Sequence, residues 1–236
     1  MTIKTEFDKR IIEIELFYEV LETIEHDNPK ILAYNVTEEE TIEIKLNSAR
    51  IDIFRSSAYL LLYNLIESTI YNSITSIFDS ISDNDVKYFE MIEEVQKYWL
   101  NNLYKHDEKK KKETIIETFM NIANQIFNNT IELASNEISY GGSLDARTIF
   151  DTAKSMRIQI GSVRRIYDEN VHGNILKDIK QKRNWLAHGE KTFTEIGSIS
   201  TYSQLNDAKD NVKIFLEEFI NSVETYIQHQ HYKIQN

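Results

Sequence analysis

The sequence predicts an all-α protein. Apolar residues recur every three or four positions over long stretches, the spacing of amphipathic helices. Six glycines and one proline in 236 residues leave little of the punctuation that a many-stranded β fold needs. A composition of 41% hydrophobic and 11% aromatic residues supplies enough apolar mass for a real core. No Gly/Ser- or Pro-rich linker marks a boundary, so residues 1–236 read as one helical domain.

The first helix is expected over about residues 4 to 26. Phe7, Ile11, Ile14, Phe17, Tyr18, Leu21 and Ile24 form its inner stripe, and Asp27-Asn28-Pro29 ends it. Residues 30–47 alternate briefly, which fits either two short extended segments or a loose helix. From Ser48 to about Ser80 apolar residues fall on nearly every side, as in a central helix buried on several faces. Ser82-Asp83 resembles an N-cap for a helix from Val86 to about Tyr104, with Tyr98 and Trp99 in the core.

Lys109 to Lys112 reads as a solvated loop, followed by a helix from Glu113 to about Asn136. Gly141-Gly142 breaks the chain, and Ser143 is placed to cap a short helix from Leu144 to Met156. A helix from Asn174 ends in Arg183-Asn184-Trp185-Leu186-Ala187-His188-Gly189. Residues 189 to 201 read as a loop, and Thr201 or Ser203 caps a last helix from Tyr202 to about Tyr232.

Composition also bounds the function. The absence of cysteine removes disulfides, thiolate metal sites and a cysteine nucleophile, and it suits a reducing cytosol. The first fifteen residues alternate charge with apolar side chains instead of forming a signal peptide's apolar core. No run of about 18 apolar residues is present to span a membrane. A cytoplasmic protein without membrane partners is expected.

The net charge of −11 opposes indiscriminate binding to nucleic acid. Its distribution is uneven. From Arg147 to Arg183, nine basic residues face four acidic ones, a local +5. Lys177, Lys180, Lys182, Arg164 and Arg165 in this stretch are the expected phosphate contacts, and the acidic remainder could meet a basic partner protein.

The segment from Asn174 to Gly189 concentrates the chemistry. At 100° per residue Ile175, Leu176, Ile179, Leu186 and Ala187 share one face, and Lys180, Asn184 and His188 form an adjoining stripe. Arg183 falls inside the apolar arc, where a guanidinium is costly unless a carboxylate, a phosphate or polar groups meet it. Glu67, standing among apolar residues of the central helix, is a candidate partner; the alternative places it on a solvent-facing edge beside Ser68. Gly189 suits the left-handed position after a helix, which leaves His188 in the last turn at the edge of a loop. A histidine there also serves as an ordinary C-terminal cap.

No glycine loop for phosphate, no nucleophilic serine with a base and no carboxylate cluster for Mg²⁺ is evident. His26, His106, His172, His229 and His231 form no metal-ligand pattern; the last two, two apart, would face apart in a helix. A metal site and a cofactor are not expected. Cleavage of RNA without metal needs a group to move protons and a cation to steady the phosphate, and His188 and Arg183 can supply both.

Arg183-Asn184 followed by Leu186-Ala187-His188-Gly189 resembles the signature of the HEPN superfamily, Arg, four to six residues, then His. Residues 61 to 69 and 141 to 147 look like two further recurrent blocks of a toxin-like branch from prokaryotic conflict and defence loci. The resemblance runs from about residue 5 to residue 230. It implies a helical bundle of long antiparallel helices, with a basic helical insert at about residues 140–175 before the motif helix. It also implies a metal-independent endoribonuclease leaving 2′,3′-cyclic phosphate ends, with His188 as acid/base group, Arg183 on the phosphate, Asn184 positioning and Glu67 supporting. A homodimer and a neutralising antitoxin protein are the implied partners beside RNA. Some members carry a modifiable Tyr two residues after the His; Glu190 stands there in this chain, so that route of control is not expected. A HEPN module that binds RNA, nucleotide or protein without cutting is the alternative.

Overall fold

A computed structural model of the chain describes residues 2–26, 28–35, 40–104, 112–133, 138, 144–160 and 172–235. Among these, eight helices and one small two-stranded sheet are formed, an all-α architecture as expected. The helices are α1 (Ile3–Ile24), α2 (Ser48–Asp83), α3 (Glu93–Leu103), α4 (Lys112–Asn128), α5 (Ala146–Ser155), α6 (His172–Ala187), α7 (Phe193–Ser198) and α8 (Tyr202–Gln228). The chain divides into two compact units. The first comprises Met1–Lys4, Glu67–Asp168 and Leu216–Asn236, and the second Thr5–Ile66 and Glu169–Phe215.

In the second unit, α1 buries the stripe foreseen from its spacing: Phe7, Ile11, Ile14, Tyr18, Leu21 and Ile24. The Tyr18 hydroxyl donates to the Leu205 carbonyl at 3.1 Å, and burial pushes its pKa well above the ordinary phenol range. The open stretch after α1 is a hairpin, β1 (Lys30–Asn35) antiparallel to β2 (Glu40–Lys45), with Ile31 opposite Ile44 and Ala33 opposite Ile42. The alternation was therefore that of strands. Asn47 caps α2, its side-chain oxygen accepting the Arg50 N–H at 3.1 Å. Arg55, one turn and a half farther on, grips Glu25 with two parallel bonds of 2.6 and 2.5 Å, tying α2 to the end of α1.

In the first unit α2 continues to Asp83 because Ile74, Ile77, Phe78 and Ile81 keep its buried register. Ser82-Asp83 is thus its last turn and not a new N-cap. Asp85, at φ 50°, takes the left-handed position, and the Val86 N–H returns to the Ile81 carbonyl at 3.0 Å. Helix α3 begins only at Glu93, after a single 3₁₀ turn over Tyr88–Glu90. Trp99 is core, as expected, and its ring N–H donates to the Glu132 carbonyl at 2.8 Å.

Two further boundaries differ from the sequence reading. Helix α4 stops at Asn128, where Asn129 at φ 55° reverses the chain. Helix α5 is capped by Asp145, whose carboxylate accepts the Thr148 N–H at 2.9 Å; Ser143, the residue expected there, lies outside the described residues. Helix α8 ends at Gln228, and the chain then returns so that Tyr232 is fully buried, with its carbonyl accepting the Ile92 N–H at 2.9 Å.

Candidate functional site

Helix α6 is seated by Leu176, Ile179 and Leu186, all buried, whereas Ala187, expected on the same face, is exposed. The helix ends in a two-bond cap. The Gly189 N–H reaches the Leu186 carbonyl at 3.3 Å and the Glu190 N–H reaches that of Trp185 at 2.9 Å. Gly189 itself has φ 68°, the left-handed conformation that the sequence anticipated. His188 stands between helix and loop, its N–H bonded to the Asn184 carbonyl at 2.9 Å and its side chain exposed. The cap therefore holds the backbone under an imidazole that solvent can reach.

Arg183 is half-buried, and its guanidinium carbon lies over the Tyr63 ring, 4.1 Å from its centre. Tyr63 is 0% exposed. One Arg183 nitrogen also donates to the side-chain oxygen of Asn184 at 3.0 Å. A planar, weakly hydrated cation tolerates this setting because the ring face supplies negative quadrupole and dispersion contact. Asn184 and the Tyr63 face thus both meet the Arg183 cation.

Lys182, expected to contact RNA, is turned inward instead, with 12% of its side chain exposed. Its ammonium lies 4.4 Å from the centre of the Tyr59 ring and donates to the Tyr59 hydroxyl at 2.8 Å and to Asp178 at 2.7 Å. Burial lowers its pKa, but the bonds to Asp178 and Tyr59 outweigh that and leave it raised. Ser200, 3.0 Å from the Tyr59 hydroxyl, donates to the Ile196 carbonyl. Two consecutive cations of α6 thus stand on two tyrosines one turn apart on α2. Neither tyrosine is singled out by the sequence reading; the signal available was their i, i+4 spacing, which puts both hydroxyl-bearing rings on one side.

The segment after His188 is ordered by local rules. Thr192 and Glu195 form a capping box that starts α7 within what reads as a loop; the Thr-x-x-Glu spacing was the available signal. Gly197 packs α7 against α2 so closely that a Cβ would lie 2.0 Å from the Asp52 carbonyl oxygen. Between cap and box, the Lys191 ammonium sits 3.7 Å from the centre of the Trp185 ring.

The remaining expected residues are dispersed. Lys177 is exposed and Lys180 half-buried on α6, whereas Arg164 and Arg165 lie outside the described residues. Glu67 is half-buried on α2, among the residues of the first unit. His229 and His231 do not face apart: α8 has already ended, Gln230 at φ 50° turns the backbone, and the rings stack at 5.5 Å. Among the described residues no three of His, Asp and Glu gather where a metal ion could be held, and no helix is long and apolar enough to cross a membrane.

A family model described as HEPN_MAE_28990-like HEPN matches residues 1–232. No curated protein and no solved structure matches the chain.

Proposed function

Because the chain belongs to the HEPN superfamily, we propose that it is a metal-independent endoribonuclease whose site is built from Arg183, Asn184 and His188. The observation that carries this reading is the pairing of a guanidinium held by Tyr63 and Asn184 with an exposed imidazole five residues on, at the cap of the same helix. In the reaction the ribose 2′-oxygen bonds to phosphorus and the 5′-oxygen leaves, closing a 2′,3′-cyclic phosphate. A base accepts the 2′-OH proton, an acid returns one to the 5′-oxygen, and a cation balances the charge on the non-bridging oxygens. Arg183 serves the last role and His188 the proton transfers. Two transfers are easier with two imidazoles, so the active form is a homodimer in which two motif helices serve one linkage.

Lys177 and Lys180 extend the phosphate contacts along α6, with Arg164 and Arg165 proposed beyond them and Glu67 as support. The setting proposed is that of a cytoplasmic toxin in a toxin–antitoxin or phage-defence system, with an antitoxin protein as its restraint. The net charge of −11 favours a second reading, a HEPN module that binds RNA, nucleotide or a protein without cutting it.

Incubation of wild type, Arg183→Ala and His188→Ala with total RNA in EDTA separates the two. Fragments with cyclic-phosphate ends are expected from wild type alone, with each variant slower by at least about 100-fold and of unchanged helical content. Absence of fragments from folded, dimeric wild type favours the binding module, and full activity in both variants overturns the site.

A further inference from the structure

The chain has two tryptophans, and they are built differently. Trp99 is 0% exposed and its ring N–H is satisfied by the Glu132 carbonyl, as a core indole requires. Trp185 is half-buried, and among the described residues no acceptor meets its ring N–H. What covers its face is a cation, the Lys191 ammonium at 3.7 Å, which makes no ion pair among the described residues. In a chain of net charge −11, a lysine beside carboxylates at Glu190 and Glu195 that rests on an indole is notable for where its charge is kept.

Backbone bonds fix this arrangement. The Glu190 N–H at 2.9 Å and the Lys191 N–H at 3.4 Å both reach the Trp185 carbonyl, so residues 185 to 191 close into a compact turn with exposed His188 at its outer side. Around the axis of α6 the order is Arg183, Asn184, His188, Trp185, with Trp185 about 60° past His188 on the side away from Arg183. A strand whose phosphate lies between Arg183 and His188 and that runs on past His188 meets the indole next.

We propose that Trp185 and Lys191 form a nucleobase subsite for single-stranded RNA, in which an unstacked base beside the phosphate held at Arg183 and His188 stacks on the indole and Lys191 moves from the ring face to that nucleotide's phosphate. The chemistry suits both groups. Every base has a π face that an indole can stack without sequence preference, and an ammonium gains more from a phosphate than from a ring quadrupole. The subsite rests on the reading that α6 engages RNA, but not on cleavage.

The test uses the whole chain and a fluorescein-labelled 2′-O-methyl oligoribonucleotide, which lacks the attacking hydroxyl. Binding is followed by anisotropy, and stacking by intrinsic tryptophan emission, in which buried Trp99 serves as a constant background. Wild-type emission should be quenched as the probe binds. Trp185→Leu should bind about tenfold more weakly and Trp185→Phe nearly as wild type, and Lys191→Met should lower the dependence of log affinity on log salt by about 0.7, the share of one single-strand phosphate contact. Binding with unchanged emission, and with Trp185→Leu equal to wild type, overturns the subsite while leaving RNA recognition standing. No binding of the probe by folded wild type overturns the subsite and RNA recognition together.

Discussion

The guanidinium carbon of Arg183 lies 4.1 Å from the centre of the Tyr63 ring, a contact between residues 120 positions apart. It eases the tension of an arginine in an apolar arc: the cation rests over the ring, and one of its nitrogens donates to Asn184. Tyr63 thereby limits the orientations of the group proposed to meet the phosphate.

A ring at position 63 is what this contact needs, more than a hydroxyl. Tyr63→Phe is expected to retain most RNA cleavage, and Tyr63→Leu to lose about tenfold, in line with about 1–2 kcal/mol for a partly desolvated cation–π contact. Initial rates on a defined RNA, with melting curves of both variants, check this; equal rates for Leu and Phe would show that the ring does not orient Arg183.

The loop carrying His188 depends on two glycines for different reasons. At Gly189 nothing lies within 4 Å of a Cβ, so Gly189→Ala should cost only the backbone strain of φ 68°, about 1 kcal/mol. At Gly197 a methyl group would meet the Asp52 backbone, and Gly197→Ala should cost more, about 1–3 kcal/mol. Urea unfolding of the two variants gives the ranking, and the reverse order contradicts the packing of α7 on α2.

Alkaline stability should report on Lys182. Its folded pKa is raised, the bonds to Asp178 and Tyr59 outweighing desolvation, so its contribution is complete below the ordinary lysine value of about 10.4 and fades as pH rises through the higher folded value. Tyr18, raised by burial, adds in the same direction above about pH 10, because only the unfolded chain then ionises. Unfolding free energy should fall with pH in this range, and less steeply in Lys182→Met. An unchanged slope in that variant would refute the bonds of Lys182 to Asp178 and Tyr59.

Much of the architecture was legible because it rests on local rules. The stripe from Phe7 to Ile24 needed only the helical period, and Gly189 only the steric cost of a left-handed residue with a Cβ. Where local rules compete, the reading slipped. Ser82-Asp83 has the composition of an N-cap, yet burial of Ile77, Phe78 and Ile81 carries α2 through it, and Asp85 becomes the reversal point. Thr192 and Glu195 carry a capping signature inside a stretch too short to show periodicity.

By itself the sequence determined that the chain is helical, that it carries Arg183 and Asn184 on one helix with His188 at that helix's end, and that Arg183 requires a partner. These follow from periodicity and from the cost of burying a cation, which act within a few residues. Tertiary structure alone decided that an aromatic face holds Arg183, that Lys182 turns inward to Tyr59, and that Lys191 rests on Trp185. Which ring reaches a cation depends on how α2 and α6 pack, and on how the loop after α6 folds back. No spacing within a single helix encodes either.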